Sequence, residues 1–292
     1  MRYLSPLRYP GGKARLAPYI ARLIAAQEPR PQAYAEPFAG GAGAALRLLV
    51  DEEVQRIYIN DLNPGIAAFW RCVFSHTEDF ARKIETEEIS IEAWHRASAT
   101  YASTEPKSDL DLGFATFFLN RCNRSGILNA GPIGGHDQTG RWKIDARFNR
   151  ESLAHRVRYL GQYRKRVRIS ELDGRAFLRK ISRLGDKILV YVDPPYLVQG
   201  EELYLDSLNA KDHAELATLL AKSKLRWFLT YDAHERITED LYSGLRTVEF
   251  DIAHTAHVQH IGKEYAVFGK HLTVPDVDRV LSGNSGRWVS AD

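Results

Sequence analysis

A short apolar run, residues 187–192 (KILVYV), ends abruptly in Asp193-Pro194-Pro195-Tyr196, and this junction constrains the fold more than any other stretch of the chain. A β-branched apolar run bounded by breaker residues reads as a strand. Two successive prolines fix the backbone and remove two N–H donors, so the strand ends at Asp193. Strand character recurs at 33–36, 56–60, 167–170, 226–231, 246–252 and 265–269. Helical periodicity follows Gly43, Asn63, Asp173, Asn209 and His234, with Asp173 and Asn209 placed as N-caps. Such alternation predicts the α/β class, a single open sheet of seven strands. Asp193 then sits at the carboxyl end of a central strand, where open α/β sheets bind ligands.

Between residues 74 and 166 the alternation lapses. Residues 91–121 read as helices, and 123–143 are rich in Gly, Asn and Pro, ending in Arg141-Trp142-Lys143. A loop this long inside a compact domain is usually functional or disordered, and the segment reads as an inserted domain. The expected division is a catalytic domain of residues 1–73 and 167–275, an insertion at 74–166, and a tail at 276–292. Net charge is only +3, but Arg141 to Arg183 holds fourteen Lys or Arg against four Asp or Glu. That concentration suits a polyanionic partner, although a solvated helix face would carry the same residue types. Arg121, Arg124, Arg141 and Lys143, interleaved with Trp142 and Phe148, suit phosphate clamping and base stacking, and a solvated hairpin is the bland alternative.

No apolar stretch approaches the roughly 20 residues needed to cross a bilayer, and the N-terminus lacks a signal-peptide core. The expectation is a cytoplasmic protein with no membrane partner. Cys72 and Cys122 form no C-x-x-C and read as buried small side chains. His254, His257 and His260 recur at intervals of three without a carboxylate-rich partner, so no metal is expected. Lys13 follows two glycines, but no phosphate-loop pattern surrounds it.

Two motifs carry chemistry. Glu36-Pro37-Phe38-Ala39-Gly40-Gly41-Ala42-Gly43 joins a strand to a helix, where glycines let backbone approach a ligand and helix N-terminal amides face it. Asp61 follows the next strand, about twenty residues on, where a carboxylate can take both hydroxyls of a ribose. Together they indicate an adenosine-type ligand and leave NAD and S-adenosylmethionine both open. At the second motif, the Asp193 carboxylate and the Pro194 carbonyl can accept the two hydrogens of an exocyclic amine while Tyr196 stacks on the ring. The adenine amine is a poor nucleophile because its lone pair is delocalised. Two acceptors would draw it toward tetrahedral geometry, with the lone pair aimed at a methyl sulfonium.

The chain resembles the Dam-type DNA adenine N6-methyltransferases, whose motif order is N-terminal cofactor segment, glycine loop, target recognition domain, then D-P-P-Y. The resemblance covers nearly all of the chain to about Gly269. Tyr9-Pro10-Gly11-Gly12-Lys13 resembles the family's opening segment, which implies that Tyr9 and Lys13 line the cofactor and target pocket. The glycine loop implies contacts from Pro37, Phe38, Gly40, Gly41 and Gly43, with the roles of individual glycines open. Asn60-Asp61-Leu62-Asn63 implies that Asp61 holds the ribose, Asp173 is similar to the acidic residue that contacts the cofactor adenine, and Asp193 borders both cofactor and target. Asn120, Arg121, Ser125 and Asn129 fall in the region resembling the hairpin that reads DNA, alongside Arg124, Arg141 and Lys143. Thr230-Tyr231-Asp232 departs from the family pattern.

The resemblance implies a Rossmann-like methyltransferase sheet with an inserted helical and hairpin target recognition domain. It also implies S-adenosylmethionine as cofactor, duplex DNA as partner, a flipped adenine as target, and room for a cognate restriction endonuclease. An RNA adenine methyltransferase is the nearest alternative, because the motif reads a base and not its sugar. An NAD-dependent oxidoreductase rests only on the glycine loop and Asp61 and lacks a proton-handling residue. A catalytically dead DNA-binding protein conflicts with an intact D-P-P-Y.

Overall fold

A computed structural model describes residues 4–8, 13–195, 197, 208–254, 260–277, 280 and 285–290, without the side chains of 252–254 and 260–261. By its contacts the chain divides into two compact units, one of residues 1–12 and 63–171, the other of 13–62 and 172–292.

The strands are β1 (Ala33–Glu36), β2 (Arg56–Asn60), β3 (Val167–Ser170), β4 (Ile188–Val192), β5 (Arg226–Asp232), β6 (Thr247–His254), β7 (His260–Phe268) and β8 (Arg287–Ser290). They form one sheet in the order β3-β2-β1-β4-β5-β7-β6-β8. β1 pairs in parallel with β2 and β4, and β4 with β5; β7 pairs antiparallel with β5 and β6, and β6 with β8. The sheet thus has eight strands where seven were expected. β8 lies within the stretch read as a tail. It is a four-residue edge strand whose Trp288 and Val289 stay exposed, so it carries no burial alternation for a sequence reading to detect.

All five residues of β4 are buried, as a central strand covered on both faces requires. Val190 and Val192 join Phe177, Leu178, Leu216, Trp227 and Leu229 in the core. Helix starts follow their caps. Asp173 accepts from the backbone N–H groups of Arg175 and Ala176 ahead of helix Gly174–Ile181. Asn209 forms a capping box with Asp212 ahead of helix Ala210–Lys222. The helix expected after His234 is a short π-helical segment, Ile237–Leu241.

The other unit is helical apart from β3. Asn63 caps helix Pro64–Ser75 through Gly65 and Ile66, with proline at the first position, where a missing N–H costs no hydrogen bond. Helices Thr77–Thr86, Ile91–Ala102, Asp109–Cys122 and Arg150–Gly161 follow. Their common core is aromatic: Phe69 stacks on Phe117 at 5.9 Å, and Phe80 and Phe148 meet Phe117 edge-on at 5.5 Å each. Cys72 and Cys122 are buried here as free thiols, and burial pushes both up to about 12.

The expected hairpin over 123–143 is reduced to a single antiparallel bridge, Asn123 to Pro132. Ser125, Gly126, Gly134, Gly135 and Gln138 all have positive φ, which interrupts any extended ladder. Side chains hold the loop in place of a ladder. Asn123 Nδ2 donates to the carbonyls of Ile127 and Leu128, and Gln138 Nε2 to those of Ile133 and Gly135. Among the described residues no helix is long and apolar enough to cross a membrane.

Candidate functional site

From β1 the chain continues to β2 on one side, and from β4 it continues to β5 on the other. The carboxyl ends of β1 and β4 are therefore a topological switch point, where the loops diverge and leave a crevice. The glycine loop leaves β1, Asp61 follows β2, Asp193 follows β4, and β5 ends in Asp232.

The glycine loop is held by side chains and main chain of neighbouring segments. Asn60, 1% exposed, donates through Nδ2 to the carbonyls of Pro37 and Leu172, each at 2.8 Å, and accepts from Leu172 N–H through Oδ1 at 3.0 Å. Ala39 N–H donates to the Asn60 carbonyl, and Gly40 N–H donates to Asp61 Oδ2 at 2.8 Å. Gly40 takes a φ of 46° and Ala42 one of 47°, a left-handed conformation costly for alanine. Beneath the loop Glu36 is buried and accepts from Tyr34 Oη and Ala45 N–H, each at 2.9 Å. Burial pushes its carboxyl up to about 8, against the lowering effect of these two donors.

Phe38 lies over Gly174. A Cβ built on Gly174 would stand 2.4 Å from the ring's Cζ. Asp173, expected to contact the cofactor adenine, already serves as the helix N-cap and pairs with Arg175, which also reaches Asp212 and Glu215 at 2.7 Å each. Those donors hold the Asp173 carboxyl below its ordinary value against a raising contribution from burial.

At the D-P-P-Y turn, Asp193 Oδ1 accepts from Thr230 Oγ1 at 2.9 Å, and Thr230 also meets Tyr191 Oη at 2.7 Å. Lys13 Nζ stands 3.1 Å from Asp193 Oδ1 and 3.2 Å from Glu264 Oε1. The Lys13 and Glu264 side chains are 5% and 0% exposed, whereas that of Asp193 is 25% exposed. Burial raises the Asp193 carboxyl above its ordinary value; Glu264 adds to the rise, while Lys13 and Thr230 oppose it. The arrangement is an acceptor at the mouth of the crevice, backed by a buried ammonium and a second carboxylate.

Lys13, Pro37, Phe38, Gly40, Gly41, Gly43, Asp61, Asp173, Asp193, Pro194 and Pro195 all belong to this one unit. Tyr9 and Tyr196 lie outside the described residues, as do His257 and the side chains of His254 and His260. Sequence reasoning missed Thr230 and Glu264. Thr230 stands in the stretch that departs from the family pattern. Glu264 interrupts the alternate buried positions Ala266 and Phe268 of β7 with a charge, which was the available signal.

In the helical unit, Arg124, Asn129, Arg141, Trp142 and Lys143 are exposed, Trp142 at 61%. Arg141 lies over the Trp142 ring, 5.4 Å from its centroid. Asn120 and Arg121 differ from the direct DNA contacts expected of them. Asn120 is buried, accepting from Arg8 N–H at 2.7 Å and donating to the carbonyls of Arg8 and Gly126. Arg121 donates to the carbonyls of Arg147 and Pro6, and burial with neighbouring arginines lowers its guanidinium to about 9. Both side chains are spent holding main chain. Ser125 is half-buried at a φ of 56°. Part of the basic segment is likewise neutralised within the fold: Arg158 pairs with Glu78 and Glu85, and Arg175 with the three carboxylates above.

A family model described as D12 class N6 adenine-specific DNA methyltransferase matches residues 9–261. Among solved structures, the chain is similar to an rRNA methyltransferase, aviRa from Streptomyces viridochromogenes. The identity is 15% and the TM-score 0.39, over 89% of this chain and 86% of that one. No curated protein matches.

Proposed function

From the premise that the chain belongs to the D12 class of N6 adenine-specific DNA methyltransferases, which act on DNA with a methyl donor, we propose that the donor is S-adenosylmethionine, bound at the glycine loop. The residues present fit such a group. Gly40 and Ala42 turn the loop through positive φ ahead of the N-terminal amides of helix Gly43–Val50, so backbone can approach a ligand. Asp61 holds the loop at Gly40 and directly follows β2, and we assign its carboxylate to the ribose hydroxyls. Phe38 and Asp173 border the same loop from the Gly174 side and are assigned to the cofactor's adenine. When bound, the donor supplies an electrophilic methyl group and retains the electron pair of the broken C–S bond.

The chain's own residues prepare the nucleophile. Asp193 and the Pro194 carbonyl accept the two hydrogens of the flipped adenine's amine, and Tyr196 stacks on the base. As the amine bonds to the methyl carbon it gains positive charge and sheds one proton to water, so the Asp193 contact strengthens toward the transition state. In the helical unit, Arg124, Asn129, Arg141 and Lys143 contact the duplex and Trp142 offers a stacking face. Asn120 and Arg121 shape that surface from within.

The observation that carries this reading is Asp193 itself, partly exposed at the end of the central strand and backed by Thr230, Lys13 and Glu264. The test is mass spectrometry of nucleosides digested from unmethylated genomic DNA after incubation with the protein and labelled S-adenosylmethionine. N6-methyladenine carrying the label is the expected product. Label on cytosine, or only on RNA offered in parallel, would overturn it.

A further inference from the structure

Lys13 is held between two carboxylates, one facing the crevice and one fully buried. An ammonium 3.1 Å from Asp193 alone would cancel most of that carboxylate's charge and weaken it as an acceptor. Glu264 has no route to the substrate, since its side chain is 0% exposed, yet it meets the same ammonium at 3.2 Å from β7. Two carboxylates and one ammonium sum to one negative charge. Asp193 can then be fixed by Lys13 without being neutralised by it.

We propose that Glu264 is a positioning residue for methyl transfer, holding the Lys13 ammonium and offsetting its charge so that Asp193 presents a net negative field to the target amine. This rests on the function proposed above. The placement follows from the sheet. β7 runs antiparallel to β5 with Glu264 opposite Asp232, so Glu264 is carried on a core strand whose backbone is locked by pairing on both sides. Burying a carboxylate on such a strand is unfavourable unless a charge partner accompanies it, and Lys13 is that partner.

Several other groups face Asp193 or its ammonium from the surrounding elements. Tyr34 and Glu36 stand on β1, Tyr191 on β4, and Thr230, Tyr231 and Asp232 on β5. Burial raises Asp193 first and Glu264 raises it further, while Lys13 lowers it. Catalysis needs the ionised carboxylate, so the rate falls as pH drops through the Asp193 titration. Removing the Glu264 charge lowers that titration, and the acid limb of the rate profile moves to lower pH. The plateau falls at the same time, because the ammonium then pairs with Asp193 alone.

The experiment is the single-turnover methylation rate on unmethylated genomic DNA at saturating S-adenosylmethionine across pH, for wild type, Glu264→Gln, Lys13→Gln and the double variant. Glu264→Gln is expected to lose about tenfold to a hundredfold in plateau rate, as for other groups that orient a functional side chain from behind. Its acid limb should shift to lower pH, and the double variant should be faster than Glu264→Gln. Where Glu264→Gln does not fold, the double variant against Lys13→Gln gives the same comparison, with the limb again moving down. An acid limb unmoved by Glu264→Gln in either background overturns the inference, whatever the plateau does. A wild-type protein that makes no N6-methyladenine would instead overturn the functional reading.

Discussion

Replacing Gly174 by alanine tests whether the glycine loop and the Phe38 ring form one rigid cofactor wall. Gly174 is the first residue of helix Gly174–Ile181, and a Cβ there would lie 2.4, 2.8 and 3.0 Å from Cζ, Cε1 and Cε2 of Phe38. Ordinary contact begins near 3.4 Å, so the ring must retreat by about 1 Å or the helix start must shift. Overfilling of this kind costs about 1–3 kcal/mol, while exchanging glycine for alanine in a helix returns roughly 0.5–1 kcal/mol. The net loss should lie between about 0 and 2.5 kcal/mol, read by urea denaturation. Because the strain falls on Phe38, S-adenosylmethionine affinity by isothermal titration should drop about tenfold, equivalent to about 1.4 kcal/mol. Unchanged affinity with reduced stability would remove the Phe38 ring from the cofactor pocket.

Asp61→Ala removes the acceptor of the Gly40 N–H, and with it charged hydrogen bonds worth roughly 1.5–3 kcal/mol each, so cofactor affinity should fall at least tenfold by titration calorimetry. Asp193→Ala should lower the methylation rate about a hundredfold to a thousandfold while DNA and cofactor affinities stay nearly constant, and full activity would sink the assigned role. Glu36 should make stability fall as pH rises. Its folded carboxyl is raised to about 8 from the ordinary 4.5, so the unfolded chain ionises first, and stability is lost between those values. Denaturant midpoints at pH 5.5 and 8 should therefore differ more in wild type than in Glu36→Gln. DNA affinity should fall steeply with salt, with a log-log slope near −5 if about six phosphates are neutralised; a slope near zero would exclude the exposed Arg124, Arg141 and Lys143 surface.

Sequence alone determined the central strand β4, because an apolar run stopped by two prolines admits little else, and β1, β2 and β3 start and end at the residues where strand character was read. It also put Asp61, Asp193 and the glycine loop directly after strands, where the structure has them, since strand ends are written in local motifs. Local caps were equally legible: Asp173 and Asn209 begin helices through hydrogen bonds that span two or three residues. What the sequence could not express were the meetings of distant residues. Lys13 comes within 3.2 Å of Glu264 across some 250 positions only because the sheet brings β7 beside β5. Asn120 and Arg121 look like surface readers in a polar motif. The fold instead uses their donors to hold the main chain of Arg8, Gly126, Arg147 and Pro6. A side chain's hydrogen-bonding capacity is written in its type; whether that capacity faces a substrate or the protein's own backbone is decided by which segments burial brings into contact.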